Sequence, residues 1–333
     1  MNYTADIVAS DPASPPVTHA PAAPPTVSPG LVLAVVIVVW GLGPPISKLI
    51  TAPAVIAVLY RFWISFPILW VLSAATGHRL RWRTMRRCML PGAAFGVNLL
   101  FVFMALKAAT VAVLSVVAAL QPGIILLVAG PFLGERPKLW HVAWTMVGIA
   151  GTALVVLGAG PTVNTTPLGV VYAVASQLTF VVFFLLTKQV RSADPSLHPM
   201  EWMAGVSLFA ALAVTPWALA TSSAADYRAV NGADWLWMAF IVGVTGILGH
   251  VLMVWTHAYI DASRSSLYLL SMNVVAIAAA WPIHHEPLTL VQGLGGLIVF
   301  GAVAAVIRRP TAPTPAPRPA RTADPATPAN VGA

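Results

Sequence analysis

One arginine stands inside an apolar run. Arg61 follows AVIAVLY and precedes FWISFPILW. It lies about eight residues into its segment, which is about 12 Å along a helix rising 1.5 Å per residue. A charge at that depth is costly unless it is paired or hydrated, so an ionisable residue there points to a functional site. The chemistry Arg61 offers is capture of a carboxylate or phosphate. With equal weight, it snorkels to the outer interface beside Tyr60 or bonds a backbone carbonyl. His250 and His257 are seven residues apart and so share one helical face. Imidazole titrates near physiological pH, which makes proton coupling available to them; ordinary helix–helix hydrogen bonding is the plainer role. Lys48 and Lys188 stand at opposite segment ends, either as symmetry-related gate charges or as interface anchors.

Seven further groups fall near the middle of apolar segments: Trp40, Asn98, Gln121, Gln177, Tyr268, Ser271 and Asn273. A small-molecule site needs apolar walls with a few placed hydrogen-bonding groups, and these fit that need. Each could equally bond a neighbouring helix. The acidic residues all fall in tails, links or segment ends, which argues against a carboxylate enzyme. Ser271 with His250 is the one remaining pair for an intramembrane enzyme. Glu135, Arg136 and Glu286 suit capping and orientation before a helix start. His284-His285-Glu286 are adjacent residues that do not converge on an ion, so no metal is expected. No GxxxxGK[ST] loop occurs, and no nucleotide or other cofactor is expected.

Composition names the solvent around these groups. Hydrophobic residues make up 58% of the 333-residue chain and charged residues 8%. Soluble domains carry about 25% charged residues, so this chain cannot cover a globule's surface in water. About 20 apolar residues span a bilayer as a helix, and ten such segments are expected: 31–50, 53–75, 90–107, 110–132, 139–159, 167–188, 199–220, 234–257, 265–283 and 288–307. Residues 1–29 and 310–333 are rich in Pro, Ala and Thr and read as disordered tails. The single cysteine, Cys88, excludes an internal disulfide.

With ten spans, fourteen Lys and Arg lie on the side of the tails and three on the other. The excess places both termini in the cytoplasm of a cell-membrane protein. It also accounts for the net charge of +8 without nucleic acid. The basic stretch HRLRWRTMRR (78–87) reads as a cytoplasmic loop near anionic lipid.

The segments occur twice. Gly96, Leu99, Ala105, Ala109 and Leu114 meet Gly249, Leu252, Ala258, Ala262 and Leu267 at a constant offset of 153 residues. The acidic elbow Gly134-Glu135-Arg136-Pro137 has its echo at Glu286-Pro287. Five spans per half is an odd number, so the halves 31–159 and 167–307 enter the bilayer from opposite faces, an architecture found in secondary transporters.

Trp40-Gly41 with Lys48, Arg61-Phe62, Ala105-Leu106, Pro122, Gly134-Glu135-Arg136 and Gly151 follow in order, with Glu286, Pro287, Gln292 and Gly295 in the second half. With this ordered set the chain resembles the EamA-type branch of the drug/metabolite transporter superfamily. It departs from that family at Pro44-Pro45, where small polar residues and an aromatic are usual, and at Val275, which stands in place of a counterpart to Pro122. The resemblance implies efflux or exchange of small metabolites, such as amino acids or related compounds, or drugs.

The expected fold is all-α integral membrane, ten transmembrane helices as two inverted five-helix repeats around a central cavity. The expected function is secondary transport by alternating access, in the direction of export, with an intramembrane enzyme or a channel-like protein as the competing classes. The partners are a small-molecule substrate and the lipid bilayer. Proton coupling and a facilitator driven by the substrate gradient are equally compatible.

Overall fold

The computed structural model describes residues 27–109, 111–133, 138–157, 166–194, 196–284 and 289–307. Both tails and the two acidic elbows (134–137 and 285–288) lie outside the described residues. Among the described residues the chain is helical throughout and contains no strand.

Seven helices are long and apolar enough to cross a membrane. They are α1 (Pro29–Ser47), α2 (Ala54–Ala75), α3 (Trp82–Ala108), α7 (Pro167–Ala193), α8 (Pro199–Thr221), α10 (Gly232–Thr256) and α11 (Ala262–His284). Shorter pieces occupy the other expected positions: α4 (Val111–Ala119), α5 (Gln121–Leu133), α6 (Leu139–Leu157) and α12 (Leu290–Ile307). A one-turn helix, α9 (Ala224–Arg228), lies between α8 and α10. The fourth expected segment is therefore two pieces meeting at Leu120, just before Pro122. Proline lacks the N–H of a continuous helix.

One expectation is corrected. The basic stretch 78–87 is not wholly a loop, because α3 begins at Trp82 and carries Arg83, Arg86 and Arg87 in its first two turns. Arginine is a good helix former. Thr84 in the first turn is also anchored through its hydroxyl to Glu201 of α8 at 2.6 Å.

Hydrogen bonds at the helix ends fix the directions. The Lys107 ammonium, at the end of α3, donates to Ile50 O beyond the end of α1 at 2.6 Å. Thr166, at the start of α7, donates from N and Oγ1 to Ala108 O at 3.0 and 3.1 Å. So α7 starts at the end of the bundle where α1 and α3 finish, and the second set of helices runs opposite to the first. We call this the Thr51 end and the opposite one the Thr84 end.

Thr166 also caps α7, accepting from Gly169 N at 3.1 Å. Thr166→Ala removes that cap and the side-chain bond to Ala108 O. It should lower stability by about 1 kcal/mol, the usual worth of an N-cap, read by denaturant unfolding in detergent.

The halves interlock. α3 packs along α7 and α8, α2 along α8, α6 along α12, and α1 against α10 and α11. The close approach of α3 and α8 depends on Gly92 and Gly96. A Cβ added at Gly96 would stand 2.7 Å from Ala210 O and 2.9 Å from Ala210 Cα. Three clusters of buried side chains result among the described residues, one around Phe62, Phe95, Trp202 and Met238, another around Leu33, Trp40, Phe184 and Leu267, and a smaller one around Leu106, Leu114 and Ala173. Large apolar side chains such as Val71, Leu219, Leu236 and Leu297 face outward, as a bilayer solvent requires.

Candidate functional site

A cavity lies between the two halves, with about 810 Å³ of space not filled by atoms, its open mouth included. Seven of the nine residues singled out from the sequence line it: Trp40, Arg61, Asn98, Gln121, Gln177, His250 and Asn273. They come from α1, α2, α3, α5, α7, α10 and α11. Each sits near the middle of its helix or at the start of a broken one. Tyr268 and Ser271 are not among the lining residues. The Tyr268 hydroxyl accepts from Arg264 Nη2 at 3.2 Å, one turn nearer the start of α11. Ser271 is 2% exposed, and its hydroxyl has no partner among the described residues. The pair of Ser271 and His250 is thus not assembled at the cavity.

Local breaks in the helices shape this space. α1 is interrupted at Leu42 ahead of Pro44 and Pro45, whose missing N–H groups cannot bond back to the preceding turn. The short second piece, Gly43–Ser47, presents Gly43, Pro44 and Ser47 to the cavity. The ring of His284 donates from Nε2 to Pro45 O at 3.0 Å and ties this piece to α11. α10 contains a π-helical stretch, Ile241–Leu248. Such stretches are rare and recur at functional sites.

That stretch holds the two most informative side chains together. The imidazole of His250 has Nδ1 2.9 Å from Thr245 O and 3.0 Å from Gly246 O. Carbonyls only accept, so Nδ1 carries the hydrogen and Nε2 has the lone pair in the neutral ring. Arg61 packs against the same turn: a Cβ at Gly246 would stand 3.6 Å from its Nη2 and 3.8 Å from its Nε. These are ordinary contact distances; the tight neighbour of that Cβ would be Ile241 O, at 2.8 Å. Arg61 is 5% exposed, and no hydrogen bond or ion pair ties its guanidinium to any described residue. No described carbonyl accepts from it, and its neighbour Tyr60 donates to Tyr227 O at 3.1 Å.

The remaining walls are aromatic and amide. His250 lies 4.7 Å from the ring centres of both Trp40 and Phe95, and Trp40 meets Phe180 edge-on at 6.1 Å. Trp40 Nε1, Gln121 Nε2 and Gln177 Oε1 are buried without partners among the described residues. Asn98 is committed, donating from Nδ2 to Ser176 O at 2.7 Å. Ser47, Ser115 and Thr245 also line the cavity. Their signal in the sequence is faint: single hydroxyls within apolar runs, the last beside Gly246. The site thus offers a five-donor cation, a spare indole N–H, a spare amide N–H and a spare amide carbonyl inside aromatic walls. A buried donor left unpaired costs free energy, so this arrangement suits a polar guest.

His257 lies elsewhere, 2% exposed, with both ring nitrogens unpartnered among the described residues and its ring edge-on to Phe184 at 4.7 Å. Lys188 donates to His257 O and Ile260 O, each at 2.8 Å. It caps the end of α10, where a cation complements the helix dipole. Lys48 is half-buried just past the end of α1.

The whole of this arrangement falls within matched regions. The profile of the EamA-like transporter family matches residues 28–157 and again 167–308. The chain is 24% identical over 283 residues to the uncharacterized transporter YvbV of Bacillus subtilis, covering 83% of this chain and 90% of that protein. It is 25% identical over 287 residues to an uncharacterized transporter of Archaeoglobus fulgidus, covering 84% and 99%. A solved crystal structure with 20% identity superposes with a TM-score of 0.67, covering 84% of this chain and 99% of that one, which shows the common fold. A match to both halves of a duplicated helical chain leaves one assignment: the protein is a multi-pass membrane protein of the EamA-like transporter family.

Proposed function

We propose that the chain is a secondary transporter that moves a small metabolite carrying an anionic group, by alternating access, in the direction of export. The observation behind this reading is Arg61: a buried guanidinium at the central cavity with no partner among the described residues. In a low-dielectric interior an uncompensated charge is costly. A bound carboxylate or phosphate supplies the missing partner and, being charged, forms the stronger class of hydrogen bond. Trp40, Phe95 and Phe180 take the apolar body of the guest, while Gln121, Gln177 and Asn273 serve its polar edges. Amino acids and related compounds meet this description, and so do drugs with an acid group. The reading also takes the chain as ten spans in a cell membrane with both termini in the cytoplasm. The charge bias of the links supports that orientation.

Transport needs no covalent step, and the side chains facing the cavity are those of a binding site. His250 is placed to sense the guest: Nδ1–H is held by two carbonyls, and protonation at Nε2 would add a second cation beside Arg61. The test is flux into proteoliposomes. Purified protein faces labelled amino acids, aromatic carboxylates, nucleosides and cationic drugs, with and without a pH gradient. Saturable flux of an anionic or zwitterionic class is expected. Saturable flux of cations alone would remove the anion reading, and unsaturable flux would favour a channel.

A further inference from the structure

Two buried carboxylates join the halves of the molecule, one at each end. At the Thr51 end, Asp234 is the third residue of α10 and 1% exposed. Its Oδ1 accepts from Thr51 N at 2.6 Å, and its Oδ2 accepts from Thr51 Oγ1 at 2.9 Å and Ala52 N at 3.2 Å. At the Thr84 end, Glu201 is the third residue of α8 and 6% exposed. Its Oε1 accepts from Thr84 Oγ1 at 2.6 Å and Arg81 N at 3.4 Å.

The two sites join the same pair of helix positions, but with the roles interchanged: both carboxylates belong to the second repeat and both hydroxyls to the first. At the Thr51 end, the start of the third helix of the second repeat meets the start of the second helix of the first. At the Thr84 end, the start of the third helix of the first repeat meets the start of the second helix of the second. Each contact thus pairs third helix with second helix across the repeat boundary, at opposite ends of the bundle, as inverted symmetry requires.

Helix capping does not account for either carboxylate. Asp234 shares a capping box with Asn231, but its bond to Asn231 N is 3.4 Å, longer than all three bonds to the other repeat. α8 is capped by the His198 ring, which accepts from Met200 N at 3.3 Å, so Glu201 is not used there. Around Glu201 the same boundary carries an ion pair, Arg87 to Asp194 at 3.5 Å, and a stack of His78 on His198 at 4.0 Å. Bonds to carboxylates are strong while dry. They can be exchanged for water when an end opens, which a latch must allow and a packed apolar contact would not.

We propose that Asp234 and Glu201 are paired latches: Asp234 holds the Thr51 end of the cavity closed and Glu201 holds the Thr84 end closed. The inference rests on the alternating-access reading above. Both sets of bonds are present in this structure, so releasing one should favour opening at its own end over the other.

The experiment places a cysteine in the cavity by Ser115→Cys; the native Cys88 is 0% exposed, and the parent protein gives its background. A membrane-impermeant thiol reagent is applied to right-side-out and inside-out vesicles. Asp234→Asn should raise the labelling rate from the Thr51 side relative to the Thr84 side by about tenfold, equal to about 1.4 kcal/mol of bias. Glu201→Gln should shift the ratio by a similar factor in the opposite direction. Thr51→Val and Thr84→Val remove only a partner hydroxyl and should give smaller shifts of the same signs, which keeps the test open if a carboxylate variant fails to fold. Opposite shifts support the latches. Shifts of one sign, or no shift in any folded variant, overturn them. Labelling requires no substrate, so a failure here is distinct from an absence of flux.

Discussion

Arg61→Gln should weaken the binding of an anionic substrate by about ten- to hundredfold while leaving the fold as stable as before, or more so. The two halves of that result have one cause. The guanidinium is buried at the cavity with no partner among the described residues, so the empty protein bears the cost of an uncompensated charge. Glutamine keeps a polar group and removes the charge, which relieves the empty state. The loaded state loses a charge-assisted hydrogen bond, worth about 1.5–3 kcal/mol, and about 1.4 kcal/mol is a factor of ten in affinity. Arg61→Lys should fall between the two, since an ammonium restores the charge but not the planar fork. The checks are the KM for the anionic substrate and the unfolding midpoint of the same samples. A fall in stability with unchanged KM would make Arg61 a structural residue.

Gly96→Leu should prevent the folded protein from accumulating. Its missing Cβ lets α3 lie against the backbone of α8, and a Cβ would meet Ala210 O at 2.7 Å and Ala210 Cα at 2.9 Å. Backbone on both sides leaves nothing soft to yield. Inserting even one carbon into a filled core costs about 1–3 kcal/mol; leucine adds four and would force the helices apart over their whole crossing. Gly96→Ala should therefore be destabilised by an amount in that range, and Gly96→Leu should give no monodisperse protein on gel filtration. The contrasting position is Gly293, where a Cβ would meet nothing within 4 Å. Gly293→Ala should express and unfold like the parent.

The physical basis of this glycine was visible in the sequence only as one of five identities shared between the halves. The span positions were legible because twenty apolar residues in a row have few other solutions, and Lys and Arg mark the ends. Depth within a span was legible too, which is why Arg61, Trp40, Asn98, Gln121, Gln177, His250 and Asn273 could be singled out together and are found around one cavity. Direction around a helix was less so. Tyr268 and Ser271 lie at similar depth but do not line the cavity, Tyr268 accepting from Arg264 of its own helix and Ser271 being buried, and an apolar helix buried on nearly all sides has no polar face to set its rotation. The π-helical stretch at Ile241–Leu248 adds to this, since it shifts the register of α10 in the turns that carry Thr245 and lead to His250. The breaks at Leu42 and Leu120 each stand two residues before a proline, Pro44 and Pro122, yet both apolar runs read as continuous segments because proline is tolerated within membrane helices.

Asp234 and Glu201 show another reason for the gap. In the sequence they are acids at span ends, where an acid at a helix start is ordinary. Their partners, Thr51 and Thr84, are more than a hundred residues away. Only the fold brings a hydroxyl of one repeat onto a carboxylate of the other.

The central claim is that one cavity carries a substrate between the two faces. Counterflow in proteoliposomes tests it most directly. Vesicles are preloaded with an unlabelled anionic substrate, and labelled substrate is supplied outside. The account predicts that preloading accelerates uptake of the label to a transient overshoot, and that Arg61→Gln reduces the overshoot at low substrate concentration. Uptake that rises in proportion to concentration and ignores the preload would contradict it, because a single alternating site must saturate and must be driven by substrate returning from the other side.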